Sequence, residues 1–157
     1  MKAKTILAVA AAAVAAAYPA TAQDYNLRPN YTTLTLRAGF RPDPHTVQLQ
    51  SGGNIDSAGA ISRSCRGFIS NAPDVRLVYS AGSLPLIISV ASDADTTLVV
   101  NAPDGRWYCD DDSGVSGLNP MVRFNNPLSG RYEIWVGTYG SGRLNTATLA
   151  VSELTSQ

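Results

Sequence analysis

The chain has 157 residues, with 12 Lys and Arg against 12 Asp and Glu and no formal net charge. That balance excludes a strongly basic nucleic-acid binder, because phosphate contacts need clustered positive charge. A hydrophobic content of 45% excludes an acidic disordered tail, and the length is that of one domain with one core.

Residues 1–22 read as a secretory signal peptide. Lys2 and Lys4 open it, an unbroken apolar run follows from Ile6 to Ala17, and Ala20-Thr21-Ala22 is a small-x-small cleavage pattern. The run is too short to span a bilayer, which takes about 20 apolar residues. Cleavage after Ala22 leaves 23–157 as a single domain of 135 residues with 10 Arg, no Lys and 12 acidic residues, a net charge of −2. The expected location is therefore periplasmic or secreted.

Gln23 to Asn30 reads as a polar N-terminal arm. Beyond it, turn-forming clusters recur at short intervals: Arg41-Pro42-Asp43-Pro44, Ser51-Gly52-Gly53-Asn54, Asn71-Ala72-Pro73-Asp74, Pro103-Asp104-Gly105 and Gly140-Ser141-Gly142. The runs between them are rich in Val, Ile, Leu, Thr and Tyr. They predict strands over 31–37, 45–50, 66–69, 75–80, 84–91, 96–101, 106–109, 121–124, 131–139 and 144–151, with a short helix or loop over 54–64. Alternation gives each strand two faces. Leu84, Leu86, Ile88 and Val90 share one face. Tyr132, Ile134, Val136 and Thr138 share another, with Arg131, Glu133 and Trp135 opposite. The expected fold is all-β, a single jelly-roll-like β-sandwich of roughly eight to ten antiparallel strands.

Cys65 and Cys109 are the only cysteines. In an exported chain a pair points to one disulfide, the alternative being two buried thiols. Two Cys and the single His45 fall short of the roughly four ligands of a structural zinc site.

Three clusters carry candidate chemistry. The hairpin 96–109 brings its two ends together, so Asp93 and Asp95 are expected beside Asp110, Asp111 and Asp112. Converging carboxylates repel unless neutralised. Calcium takes oxygen ligands of this kind, whereas the bland reading is a set of solvated turn ends. Ser113, in Asp112-Ser113-Gly114, with His45 as base, is the candidate pair for a serine hydrolase. Trp107, Tyr108, Trp135 and Tyr139 form a candidate contact surface for a protein or a polysaccharide, against the reading that they are core aromatics. Arg66, Arg76, Arg106 and Arg123 are scattered and read as ion-pair partners. No cofactor motif is present.

The stretches Asp93-Ala94-Asp95-Thr96-Thr97-Leu98-Val99-Val100-Asn101, then Pro103 to Asp112, then Pro127-Leu128-Ser129-Gly130-Arg131-Tyr132-Glu133-Ile134-Trp135-Val136-Gly137-Thr138-Tyr139 resemble the bacterial pre-peptidase C-terminal domain. The likeness covers roughly 84–152. The whole mature chain is also similar to a group of small exported proteobacterial proteins often labelled serine peptidases. The shared residues are Ala38-Gly39-Phe40, Pro42-Asp43-Pro44, Gly52-Gly53, Cys65, Gly67, Pro73-Asp74 and Asp95-Thr96-Thr97-Leu98. The resemblance implies a small β-sandwich, export and, as in some relatives, bound calcium. It supplies no reaction, since the residues a peptidase label implies have no matching positions. The reading is an exported, non-catalytic binding or structural module, with a serine hydrolase or a carbohydrate-binding module as alternatives.

Overall fold

A computed structural model describes residues 23–115 and 117–157. The proposed signal peptide lies outside the described residues.

The strands follow the turn punctuation. In chain order they are β1 (Thr32–Arg37), β2 (His45–Ser51), β3 (Ile55–Asp56), a one-turn helix α1 (Ser57–Ala60), β4 (Phe68–Ile69), β5 (Val75–Ser80), β6 (Leu86–Ala91), β7 (Thr96–Asn101), β8 (Trp107–Asp110), β9 (Met121–Phe124), β10 (Gly130–Thr138) and β11 (Asn145–Ser152). The 54–64 segment thus resolves into β3 and α1, with Asp56 capping the helix by accepting from Ala58 N at 3.0 Å.

Two sheets face each other. The first carries β1-β5-β10, with β7 on the other edge of β10 and β8 beyond it, while β4 and β3 continue from the far end of β10. The second has the order β2-β11-β6-β9. One pairing departs from the antiparallel expectation: β1 runs parallel to β5. Between them the chain crosses to the second sheet for β2 and returns through β3 and β4, so β5 re-enters beside β1 in the same direction.

Alternation decides what fills the sandwich. Leu77 and Tyr79 of β5, Leu98 and Val100 of β7, and Tyr132, Ile134 and Val136 of β10 meet Leu86, Ile88 and Val90 of β6 and Ala147, Leu149 and Val151 of β11. Leu84, expected on that face, is exposed ahead of β6. A polar clasp closes one end. Glu153, just past β11, accepts from Tyr79 Oη at 2.6 Å and from Gly39 N at 2.7 Å.

The first sheet is also buried on part of its outer face. Every residue of β7 is buried. Its outward Val99 joins Ile69 and Trp135 in a second apolar cluster, covered by Ile55, Ile61, Trp107 and Cys109. The cover is the β3–α1–β4 segment, pinned by the Cys65–Cys109 disulfide, whose Cα atoms are 5.2 Å apart. Closing this 44-residue span is worth about 4 kcal/mol in the chain-entropy account. Gly67 permits the close approach. Its φ is +81°, and a Cβ there would stand 2.4 Å from Thr97 Oγ1.

Candidate functional site

The β7–β8 hairpin positions the acidic residues. Its register pairs Leu98 with Asp110 and Asn101 with Trp107. The residues entering β7 and leaving β8 therefore share one corner of the sheet. There the carboxylates of Asp95, Asp111 and Asp112 come together, with one oxygen from each lying within 4.8 Å of the others. Asp95 Oδ1 and Asp111 Oδ1 are buried and have no hydrogen-bond partner.

Electrostatics at this corner follow from burial and like charge. Desolvation, then Asp112, Asp95 and Asp110, push the Asp111 carboxyl up to about 6, and Arg66 pulls weakly the other way. Asp95 is raised as well, by desolvation first and by Asp112 second. The mainchain helps to shape the corner: Tyr139 N donates to Asp95 O at 3.0 Å.

Two of the five aspartates stand apart. Asp93 is exposed and outside the cluster. Asp110 is occupied by its own loop, accepting from Ser113 N at 2.9 Å, Ser113 Oγ at 2.6 Å and Met121 N at 2.9 Å. Sequence spacing placed all five at one corner; in the structure Asp93 is exposed to solvent and Asp110 turns back to cap its own loop.

The hydrolase pair is not assembled. His45 opens β2 at one edge of the second sheet, opposite Val151. Ser113 is tied to Asp110, which in turn holds the start of β9 at the opposite edge. Two strands intervene, a spacing of roughly 14 Å. The bond from Ser113 Oγ goes to a carboxylate in its own turn.

The aromatic surface is also redrawn. Trp135 is 0% exposed and belongs to the second apolar cluster. Sequence alternation put it opposite the core correctly, but the outer face is itself covered. Tyr108 points into the sandwich, edge-on to Phe124 at 4.9 Å. Tyr139, 48% exposed, sits by the acidic corner. Trp107 lines an open groove on the outer face of the first sheet, backed by the Trp135 ring at 5.4 Å.

That groove is a feature the sequence reading missed. The N-terminal arm lies along the outer face of the first sheet, where Arg76 Nη2 donates to Leu27 O at 2.8 Å and to Tyr25 O at 3.3 Å. Beneath the arm, Glu133 is 1% exposed and pairs through Oε1 with Arg76 at 2.5 Å and Arg131 at 2.9 Å. Its Oε2 has no partner. Burial drives the Glu133 carboxyl upward, against the pull of the two arginines. The only signal in the sequence was the polar Arg131-x-Glu133 pattern on the face of β10 that also carries Trp135.

No protein-family model matches this chain, and no curated protein does. Among solved structures, it is similar to the pre-peptidase C-terminal domain of a collagenase from Bacillus anthracis, with a TM-score of 0.46 and 16% identity over 81% of this chain and 100% of that one. It is also similar to PliG of Aeromonas hydrophila, a periplasmic inhibitor of g-type lysozyme, with a TM-score of 0.39 and 17% identity over 77% of this chain and 96% of that one. At these identities the likeness is one of chain path, and no residue role is carried across. Among the described residues, no helix is long and apolar enough to cross a membrane.

Proposed function

We propose that this chain is an exported, non-catalytic β-sandwich binding module whose acidic corner takes a calcium ion. The observation that carries the metal reading is the pair of buried, unpartnered oxygens, Asp95 Oδ1 and Asp111 Oδ1, in a cluster that also contains Asp112. A buried carboxylate oxygen without a donor is costly, and a second and third carboxylate beside it raise the cost. A hard divalent cation relieves both, since it takes six to eight oxygens from roughly this kind of donor set. Asp95, Asp111 and Asp112 would hold it, and the ion would supply structural neutralisation, with no part in a reaction.

Export is supported by the signal-like leader together with the Cys65–Cys109 bond, a pairing that persists in oxidising compartments. The non-catalytic reading is supported by the separation of His45 from Ser113 across the second sheet.

The test is the thermal unfolding midpoint of residues 23–157 in EDTA and across a calcium series. A ligand that binds only the folded state at 100 times its dissociation constant adds about 2.7 kcal/mol. The midpoint should rise saturably by several degrees, and the rise should vanish in Asp111→Asn. An equal midpoint with and without calcium would return the corner to solvated turn ends.

A further inference from the structure

The outer face of the first sheet carries a second feature, independent of the acidic corner. Register lines up Arg76, Glu133, Asn101 and Trp107 as neighbours on four adjacent strands, β5, β10, β7 and β8. Residues facing one another across neighbouring strands point to the same side of a sheet. The arm crosses over the Arg76 end of this row and leaves the Trp107 end open. There lies a cavity of about 440 Å³, walled by Tyr25, Asn101, Trp107 and Arg131. Gly130 and Pro103 complete the wall. This is within the size range of small-ligand sites.

We propose that this groove is a subsite for one ring of a saccharide, with a preference for an acidic sugar such as a uronate. The proposal rests on the reading of the chain as a binding module and not on the calcium site. Three observations carry it. First, Trp107 is half-buried, backed by Trp135 at 5.4 Å, and shares the groove wall with a Tyr25 that is 44% exposed. Rigid aromatic rings with open faces are the surfaces on which the C–H face of a sugar ring packs. Second, Asn101 and Arg131 line the groove and bring polar side chains to it. Sugar hydroxyls both donate and accept hydrogen bonds and suit side chains of this kind. Third, two guanidiniums, Arg76 and Arg131, meet one carboxylate, Glu133, so the row carries surplus positive charge. Arg131 remains 43% exposed beside the groove. The surplus disfavours a cationic side chain or amine as occupant and favours a ring bearing a carboxylate, which Arg can hold by paired hydrogen bonds.

The test is an array of immobilised oligosaccharides, neutral and uronate-containing, probed with residues 23–157 in EDTA so that the outcome does not depend on calcium. The strongest signals should come from uronate-containing glycans. Titration calorimetry with a soluble uronate tetrasaccharide should then show at least about a tenfold loss of affinity in Tyr25→Ala. Arg131→Gln should lower affinity for the uronate while leaving that for a neutral tetrasaccharide within about twofold. Tyr25 and Arg131 are exposed, and hydrogen-exchange protection of the core strands checks that each variant keeps the fold. Retention of no glycan, retention of neutral glycans alone, or uronate binding that Tyr25→Ala leaves unchanged would overturn the proposal. Calcium-dependent unfolding in the same preparation separates failure of this site from failure of the acidic corner.

Discussion

Asp95 and Asp111 approach each other across the open end of the β7–β8 hairpin, each with a buried Oδ1 that no hydrogen bond satisfies. The relationship makes the apo corner sensitive to pH. Burial and like charge raise the Asp111 carboxyl from 3.8 to about 6. The folded state therefore holds more protons than the unfolded chain between those values, and stability falls as pH rises through that window. In EDTA the unfolding midpoint should rise as pH is lowered from about 7 toward 5. Asp74, also pushed up to about 6 by burial, contributes with the same sign. The difference between the wild type and Asp111→Asn therefore isolates the corner. With saturating calcium the dependence should reverse, because protons then compete with the ion. A midpoint difference between the two proteins that does not vary with pH in EDTA would contradict this.

The disulfide is a staple for the cover on the outer face as much as for the chain as a whole. Cys65→Ser with Cys109→Ser should cost about 4 kcal/mol and lower the midpoint by roughly 10 °C. Hydrogen exchange should accelerate first over β3, α1 and β4, while β10 and β11 keep their protection. Uniform loss of protection across both sheets would mean that the cover and the sandwich unfold together.

Trp135 is a core residue of the second apolar cluster. Trp135→Ala should cost about 3–5 kcal/mol in urea denaturation, the range for removing a fully buried large aromatic. A surface tryptophan would lose a small fraction of that. Because Trp107 rests on Trp135, the same substitution should also weaken any ligand held in the groove above.

Glu153 closes one end of the sandwich. Its carboxylate accepts from Tyr79 Oη and Gly39 N, and its own backbone N donates to Asp43 Oδ2 at 3.1 Å. Glu153→Ala strands a buried phenol and an amide, and should cost about 2–4 kcal/mol. Glu153→Gln keeps acceptor capacity and should cost less. Equal losses in both variants would show that the charge, more than the hydrogen bonds, holds the clasp.

The strand pattern was legible because turn residues and alternation are local. Leu86, Ile88 and Val90, or Tyr132, Ile134 and Val136, announce an inward face without reference to anything distant. What covers the other face is a matter of tertiary contact. Arg131, Glu133 and Trp135 alternate like a solvated face, yet Trp135 lies under β3–α1–β4 and Glu133 lies under the N-terminal arm. Polar and aromatic residues there could be read as surface or as buried pair with equal ease. The hairpin brought the correct segments of the acidic corner together, but which carboxylates converge depends on side-chain direction. Asp110 turns back to hold Ser113 and Met121, and only Asp95, Asp111 and Asp112 meet. The parallel pairing of β1 with β5 was illegible for a related reason: strand direction follows from how the chain crosses between sheets, and no local residue encodes it.

The most direct test of the calcium site is titration calorimetry of calcium into residues 23–157 after EDTA treatment and dialysis, at pH 7.5 or so, where the carboxylates are ionised. The account predicts one saturable site, absent from Asp111→Asn and weakened in Asp95→Asn, with Asp93→Asn unchanged. A flat titration, or a site that survives Asp111→Asn, would contradict it.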